Sequence, residues 1–219
     1  IDPDRVAAAI TERTKLILLN SPANPTGKVA TPDEIEGLAR LADERNVALL
    51  SDDIYRSFCY DEPFVSAARF NERTIVIDGF SKSHAMTGWR LGYAVGPTEI
   101  IAAMRKIHQY TIMSAPTTAQ FAVAAMLEQS DDDVEAMRAE YDRRRRVIVD
   151  GFNDVGLPTF EPRGAFYCFP RIVSTGLSDT EFAERLLVEE KVAMVPGSAF
   201  GATGKGHVRA CYATSMDEI

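Results

Sequence analysis

Three short apolar runs, each ending in a polar residue, dominate the hydrophobic pattern of the first 80 residues. They occupy residues 15–20, 47–52 and 74–78. Nearly continuous aliphatic and β-branched runs of this length are typical of strands buried on both faces of a parallel sheet. Between the first two, residues 31–34 (Thr-Pro-Asp-Glu) precede an apolar stripe at helical spacing, which predicts an N-capped helix. The order predicts a β-α-β unit, and therefore an α/β fold with a mainly parallel sheet flanked by helices.

The pattern changes in the last third of the chain, where the predicted elements become shorter. The remaining predicted elements are strands at residues 91–95, 165–169 and 207–212 and helices beginning near residues 4, 98, 117, 131 and 179. The helix from residue 131 to about residue 152 is long and charged, as a connector between domains would be. We therefore predict a large α/β domain over residues 1–149 and a small α+β domain over residues 150–219.

Composition and charge exclude several classes of protein. The 219 residues, 46% hydrophobic and 26% charged, are typical of a globular protein with a sizeable core. The net charge of −8 opposes binding to nucleic acids and to anionic membranes, and no apolar run is long enough to span a bilayer. The three cysteines and three histidines lack the spacing of metal ligands. We expect a soluble cytoplasmic protein without a metal site, and a fragment of a longer chain because both ends look interrupted.

The polar residues just beyond the predicted strands are the candidates for a functional site, because parallel sheets bind ligands at the carboxyl ends of their strands. Lys82 would ordinarily be a solvated surface lysine. Its neighbours are Gly, Ser and Thr residues that let backbone amides approach an anion, and Arg90 can bind a phosphate bidentately. A lysine beside a phosphate site is suited to Schiff-base chemistry, because the apolar crevice and a neighbouring cation such as Arg90 favour a free amine.

Asp52, Tyr55 and Asn24 are unremarkable when each is taken alone. Asp52 could cap a loop, and Asn24 precedes a proline in an ordinary turn. Together with Lys82 they form a more specific set. Asp52 could keep a pyridine nitrogen protonated, and Tyr55 and Asn24 could donate hydrogen bonds to the phenolic oxygen of the same ring.

Several motifs along nearly the whole chain resemble, in order, those of the class I and II aminotransferases, which are pyridoxal-phosphate enzymes of fold type I. The closest resemblance is to the aspartate-aminotransferase-like branch, in which Met-Thr-Gly-Trp-Arg follows the lysine. The motifs are SPANPTG at residues 21–27, SDDIY at 51–55, the segment from SK to GWRLGY at 81–93, GAFY at 164–167, PGSAFG at 196–201 and VR at 208–209.

The resemblance implies pyridoxal 5'-phosphate as cofactor, an amino acid and a 2-oxo acid as substrates, and a homodimer. Residues 1–149 would be part of the large cofactor-binding domain. The resemblance implies that Lys82 forms the Schiff base and transfers the proton. Asp52 would bind the ring nitrogen, Tyr55 and Asn24 the ring oxygen, and Arg90 and Ser81 the phosphate. Arg209 would bind the substrate carboxylate, and Asn24 would also lie near the substrate.

The chain also departs from the family pattern. Gly79 stands where many members have a phosphate-binding hydroxyl, and residues 110–118 contain no arginine for a second substrate carboxylate, so dicarboxylate specificity is not predicted. The family's glycine-rich phosphate turn and ring-stacking aromatic precede the segment that corresponds to Ile1. Three alternatives stay open: a β-eliminating lyase or cyclopropane-forming synthase on the same scaffold, the sensor domain of an aminotransferase-like transcription regulator, and an α/β domain without catalysis.

Overall fold

The computed structural model describes all 219 residues, which divide into two compact units. Unit 1 comprises residues Ile1–Pro22, Ala30–Ser57 and Glu62–Glu135, and unit 2 comprises Ala23–Val29, Phe58–Asp61 and Ala136–Ile219. The domain boundary predicted near residue 150 stays a prediction. None of the helices has the length and apolar composition that a bilayer span requires.

Unit 1 is built on a four-stranded sheet whose strands lie side by side in chain order. The strands are β1 (Leu16–Asn20), β2 (Ala48–Asp52), β3 (Ile75–Gly79) and β4 (Gly92–Val95). The first three are parallel, and β4 runs antiparallel to β3. The helices of this unit are α1 (Pro3–Ala9), α2 (Pro32–Glu44), α3 (Phe80–Ser83), α4 (Thr98–Thr111) and α5 (Thr117–Met126). The predicted α/β class with a mainly parallel sheet is confirmed.

Helix α2 shows how local sequence and packing agree. The Thr31 hydroxyl accepts a hydrogen bond from the Glu34 amide at 3.2 Å, and the Glu34 carboxylate accepts one from the Thr31 amide at 2.9 Å. This capping box satisfies two amides at the helix start, as the sequence predicts. The apolar stripe of α2 packs against Leu19 of β1 and Leu49 of β2 in a buried cluster. This packing fixes the β1-α2-β2 unit.

The expectation that these strands are buried on both faces is wrong for β1. Leu19 is 4% exposed, whereas Leu18 is 63% exposed and Leu16 is also exposed. Successive side chains of a strand point to opposite faces, and α2 packs on the face that carries Leu19. The other face of β1 is therefore apolar and open in this chain.

Unit 2 contains a small antiparallel sheet and two helices. Its strands, in the order β5-β7-β6, are β5 (Tyr167–Cys168), β6 (Val195–Pro196) and β7 (Val208–Cys211), and its helices are most of α6 (Asp131–Asp154) and α7 (Asp179–Arg185), the latter extended by a π-helical turn over Leu186–Glu190. The strand predicted over residues 165–169 is shorter than expected. Ala165 has φ 58°, a left-handed conformation that a strand does not allow.

Candidate functional site

The carboxyl ends of β1, β2 and β3 bring the first group of candidate residues to one edge of the sheet. Asn20 is in register with Asp52, and Asp52 is in register with Ile77 of β3. The chain then leaves β3 directly into α3, which carries Lys82. Asp52 and the segment bearing Lys82 thus occupy neighbouring positions at the edge where parallel sheets bind ligands.

Helix α3 and Lys82 belong to the connection between β3 and β4, whose two ends pair at two glycines. We call this connection, residues 79–92, the closed loop. Gly79, at the end of β3, pairs with Gly92, at the start of β4. A Cβ atom on Gly79 would lie 3.0 Å from the Gly92 Cα, and one on Gly92 would lie 2.8 Å from the Asp78 carbonyl oxygen. The two backbones therefore approach too closely for side chains. In this chain a side chain at position 79 would press against the backbone of Gly92.

The closed loop, residues 79–92, carries three of the predicted cofactor ligands. Ser81 and Lys82 are half-buried in α3. Arg90 is exposed at the other end, with φ 55°, and its Nη1 donates a hydrogen bond to the Thr87 carbonyl at 2.8 Å. This contact holds the Arg90 side chain and leaves further N–H groups of the guanidinium for an anion.

The adjacent Asp52 and Asp53 have different environments. Asp53 is 2% exposed and accepts hydrogen bonds from the hydroxyls of Ser51 at 2.5 Å and Ser66 at 2.7 Å. Asp52 is half-buried and accepts one hydrogen bond from the Ile54 amide at 3.3 Å and another from the Asn20 side chain. Asp53 is thus bound within the fold, whereas Asp52 lies at the sheet edge.

Burial raises the pKa of Asp52 above its ordinary value, and the charge of Asp78 raises it further. The hydrogen bonds from Ile54 and Asn20 act in the opposite direction. A cation bound beside Asp52 would favour its ionised form. Tyr55 is buried in the turn that follows, over residues 54–57.

Asp78 is a feature of this site that the sequence reasoning missed. It is 5% exposed, and its carboxylate accepts hydrogen bonds from Arg56 Nε at 2.5 Å, the Tyr93 hydroxyl at 2.7 Å and the Gly79 amide at 2.6 Å. These bonds join β3 to β4 where the loop with Lys82 begins. The available signal was an aspartate ending an apolar run immediately before a glycine.

Unit 2 brings the other two predicted residues together. Arg209 lies in β7, and its Nη1 donates a hydrogen bond to Asn24 Oδ1 at 2.8 Å. The guanidinium carbon lies 4.5 Å from the centre of the Tyr167 ring and 5.2 Å from that of Phe200. Arg209 Nε is buried and has no hydrogen-bond partner. An unsatisfied buried donor costs about 1–3 kcal/mol, so a bound anion that supplies an acceptor would be favoured here.

The donor set of these residues fits pyridoxal phosphate and a carboxylate substrate. Unit 1 offers an amine, a half-buried carboxylate, a phenol and a guanidinium on the segments that leave β2 and β3. Unit 2 offers a guanidinium with an unsatisfied buried N–H. No three His, Cys, Asp or Glu side chains are grouped closely enough to hold a metal ion.

The whole chain, residues 1–219, matches the family model for aminotransferase class I and II. The chain belongs to this family. It is 50% identical over 97% of its length to a putative aminotransferase, YugH, of Bacillus subtilis, and 45% identical over 100% of its length to an aspartate aminotransferase of Pyrococcus abyssi. It covers 56% and 58% of these two relatives.

Solved structures of the family have the same fold. An aromatic aminotransferase from Pyrococcus horikoshii matches with a TM-score of 0.96 and 44% identity, covering 100% of this chain and 60% of the other. Thermus thermophilus aspartate aminotransferase with maleate matches with a TM-score of 0.95 and 42% identity, covering 100% and 57%. The predicted family and the fold-type-I class are confirmed, and the chain spans less than two thirds of these relatives.

Proposed function

We propose that the protein is an aminotransferase that moves an amino group between an amino acid and a 2-oxo acid, with pyridoxal phosphate bound to Lys82. Membership of the aminotransferase family supports this proposal. The observation that carries it is the juxtaposition of Asp52, at the end of β2, with the glycine-closed loop that carries Lys82 and Arg90. This arrangement provides a carboxylate, an amine and a guanidinium, which would bind the ring nitrogen, the aldehyde carbon and the phosphate of the cofactor.

Three residues of unit 1 would bind the cofactor ring. Pyridoxal phosphate, when bound, supplies an electron sink that stabilises negative charge on the substrate carbon beside the amine. Asp52 would hold the positive charge on the ring nitrogen, and Tyr55 would donate a hydrogen bond to the ring oxygen. The Lys82 amine would move the proton to and from the substrate α-carbon.

The phosphate and the ring oxygen would have further ligands. Ser81 and Arg90 lie on the closed loop and would bind the phosphate, Arg90 through the N–H groups that do not contact Thr87. Asn24 would donate to the ring oxygen through its side-chain amide nitrogen, because its Oδ1 accepts from Arg209. Asn24 would therefore also fix the residue that binds the substrate.

Arg209 would bind the α-carboxylate that amino acids and 2-oxo acids share. A planar, two-pronged guanidinium fixes the orientation of a carboxylate. Once the carboxylate is held, the bond from the α-carbon to hydrogen can be oriented for cleavage while the carboxylate is retained. This favours amino-group chemistry over decarboxylation.

Arg209→Lys is expected to weaken substrate binding much more than it slows turnover of bound substrate. Loss of a charged hydrogen bond worth about 2 to 3 kcal/mol corresponds to a roughly 30- to 150-fold higher KM. The measurement is KM and kcat for an amino acid substrate. Arg171→Lys, an exposed arginine of the same unit, is the matched control and should behave like the unsubstituted protein. An unchanged KM in Arg209→Lys would show that Arg209 does not bind the substrate carboxylate.

We also propose that the protein forms a homodimer, as its family membership suggests. Large apolar side chains are exposed on and after α4 and on α5: Ile107, Tyr110, Met113 and Phe121. Large exposed apolar side chains of this kind are available for association with a second copy. Light scattering after size exclusion should give twice the mass of one chain, and a single-chain mass at micromolar concentration would contradict the proposal.

The alternatives predict different products when one amino acid is supplied without a 2-oxo acid. An aminotransferase should release at most one equivalent of 2-oxo acid per active site and then stop. Repeated turnover with release of ammonia or a thiol would favour the lyase, and binding without a product would favour the sensor. The proposed function fails in either of the last two cases.

A further inference from the structure

The two aromatic rings beside Arg209 have no part in the function proposed so far. We call Tyr167 and Phe200 the aromatic cradle. Tyr167 is buried in β5, and Phe200 is 37% exposed at the end of a short helix over Gly197–Phe200. Their ring centres lie 4.5 and 5.2 Å from the guanidinium carbon of Arg209. Both distances are within the range of cation–π attraction.

The contacts around Arg209 define the orientation of its guanidinium. The rings of the aromatic cradle exclude water from the surface that they cover and attract the cation through their negative faces. The hydrogen bond from Nη1 to Asn24 fixes one edge of the group. A guanidinium held in this way loses little freedom when a planar carboxylate binds in its plane, which increases affinity.

The segment that carries Phe200 is itself firmly held. The Ser198 amide donates a hydrogen bond to Asp179 Oδ2 at 2.7 Å, and the Gly197 amide donates one to the His207 carbonyl at 2.8 Å. Gly197 and Gly204 approach so closely that a Cβ atom on either would overlap the backbone of the other. The chain can therefore present Phe200 at a defined position without a strand or long helix.

Two further rings, those of Phe169 and His207, pack next to Phe200. Phe169 meets Phe200 edge to face, with ring centres 6.2 Å apart. His207 stacks on Phe169 at 5.1 Å with the two planes nearly parallel. Edge-to-face and stacked contacts of this kind favour particular ring orientations. The Phe200 ring is thus positioned from one side by Phe169 and meets Arg209 directly.

We propose that Phe200 is a positioning residue that holds the Arg209 guanidinium in the orientation in which it binds the substrate carboxylate. The inference rests on the proposed function for the identity of that ligand. It goes further because it assigns part of the carboxylate affinity to a ring that makes no hydrogen bond. Removal of the ring should weaken binding of every monocarboxylate ligand of Arg209, whatever its side chain.

The experiment combines a structural signal with a binding constant, and neither requires turnover. Arginine labelled with ¹⁵N gives an Nε–Hε signal for Arg209, which is assigned by its loss in Arg209→Lys. Propionate serves as the probe and is titrated into the 219-residue chain. Phe200→Leu and Phe200→Met remove the ring, Phe200→Tyr retains it, and Phe160→Leu changes a half-exposed phenylalanine elsewhere in unit 2.

The expected result is a sharp Nε–Hε signal that propionate shifts in the unsubstituted chain. Phe200→Leu and Phe200→Met should broaden that signal and weaken propionate binding about 3- to 30-fold. Phe200→Tyr should restore both properties to within about twofold, since its ring keeps the cation–π contact. Phe160→Leu should change neither. The urea unfolding midpoint of each variant should stay constant, which shows that the losses do not come from unfolding. Recovery in Phe200→Tyr then shows that the aromatic ring is the group required.

Two results would overturn the proposal. An unchanged signal and unchanged propionate affinity in Phe200→Leu and Phe200→Met would show that the ring does not position Arg209, while amino transfer by the unsubstituted protein would leave the proposed function intact. A propionate titration that does not shift the Arg209 signal in the unsubstituted chain would show that Arg209 does not bind a carboxylate. The proposed function would then depend on the amino-transfer assay alone.

Discussion

Lys82→Ala should abolish amino transfer, with a loss of about 10³-fold or more in kcat, because one side chain would serve both as the covalent attachment point and as the proton carrier. The half-buried position of Lys82 in a loop closed by Gly79 and Gly92 supports this double role. The measurement is the initial rate with saturating amino acid and 2-oxo acid. Lys106→Ala, on the exposed surface of α4, is the matched control and should retain full activity.

Chemical trapping tests the same assignment without a rate measurement. Borohydride reduction of the protein with its cofactor should leave a stable adduct on the peptide that contains Lys82, and digestion with mass spectrometry would locate it. The adduct should be missing from Lys82→Ala. An adduct on another lysine, or full activity of Lys82→Ala, would contradict the assignment.

Asp52→Asn should reduce kcat by about 10²- to 10³-fold, the typical cost of removing one group that stabilises charge in a transition state. The neutral amide has nearly the same shape as the carboxylate but carries no negative charge to stabilise a protonated ring nitrogen. The half-buried position of Asp52 strengthens that interaction because solvent screens it less. The measurement is kcat per folded protein, together with the affinity for the cofactor.

Asp53→Asn is the comparison that makes the Asp52 experiment decisive. Asp53 is bound by the hydroxyls of Ser51 and Ser66, so its substitution should lower stability rather than catalysis. We expect a lower urea midpoint but a kcat near that of the unsubstituted protein. Equal losses of kcat in the two variants would mean that the wrong carboxylate has been assigned to the ring nitrogen.

The parallel core of unit 1 could be predicted from the sequence because its signals are local. Apolar runs locate β1, β2 and β3 to within a residue or two, and the Thr31–Glu34 capping box marks the start of α2. The candidate residues Asp52 and Lys82 follow from the same argument, since Asp52 ends one predicted strand and Lys82 lies shortly after the next. The roles of Asn24 and Arg209, however, depend on the family resemblance and not on any local pattern.

The features that escaped prediction depend on contacts between distant residues. The hydrogen bond between Asn24 and Arg209 joins residues 185 positions apart, and the one between Arg56 and Asp78 joins residues 22 positions apart. Neither contact leaves a trace in hydrophobic periodicity. The open face of β1 was missed because an apolar run shows only that its side chains can be buried. The late start of β5, at Tyr167, follows from the left-handed backbone of Ala165, which alanine seldom adopts.

Movement of the amino group itself tests the central claim most directly. The purified protein with pyridoxal phosphate would be incubated with each ¹⁵N-labelled amino acid and an unlabelled 2-oxo acid, pyruvate and 2-oxoglutarate in turn, and the products would be separated and identified by mass spectrometry. An aminotransferase should place the label in the amino acid newly formed from the 2-oxo acid and release a matching amount of the 2-oxo acid of the donor. Label that leaves as ammonia, or that stays in the donor for every amino acid while the cofactor is bound, would contradict the proposed function.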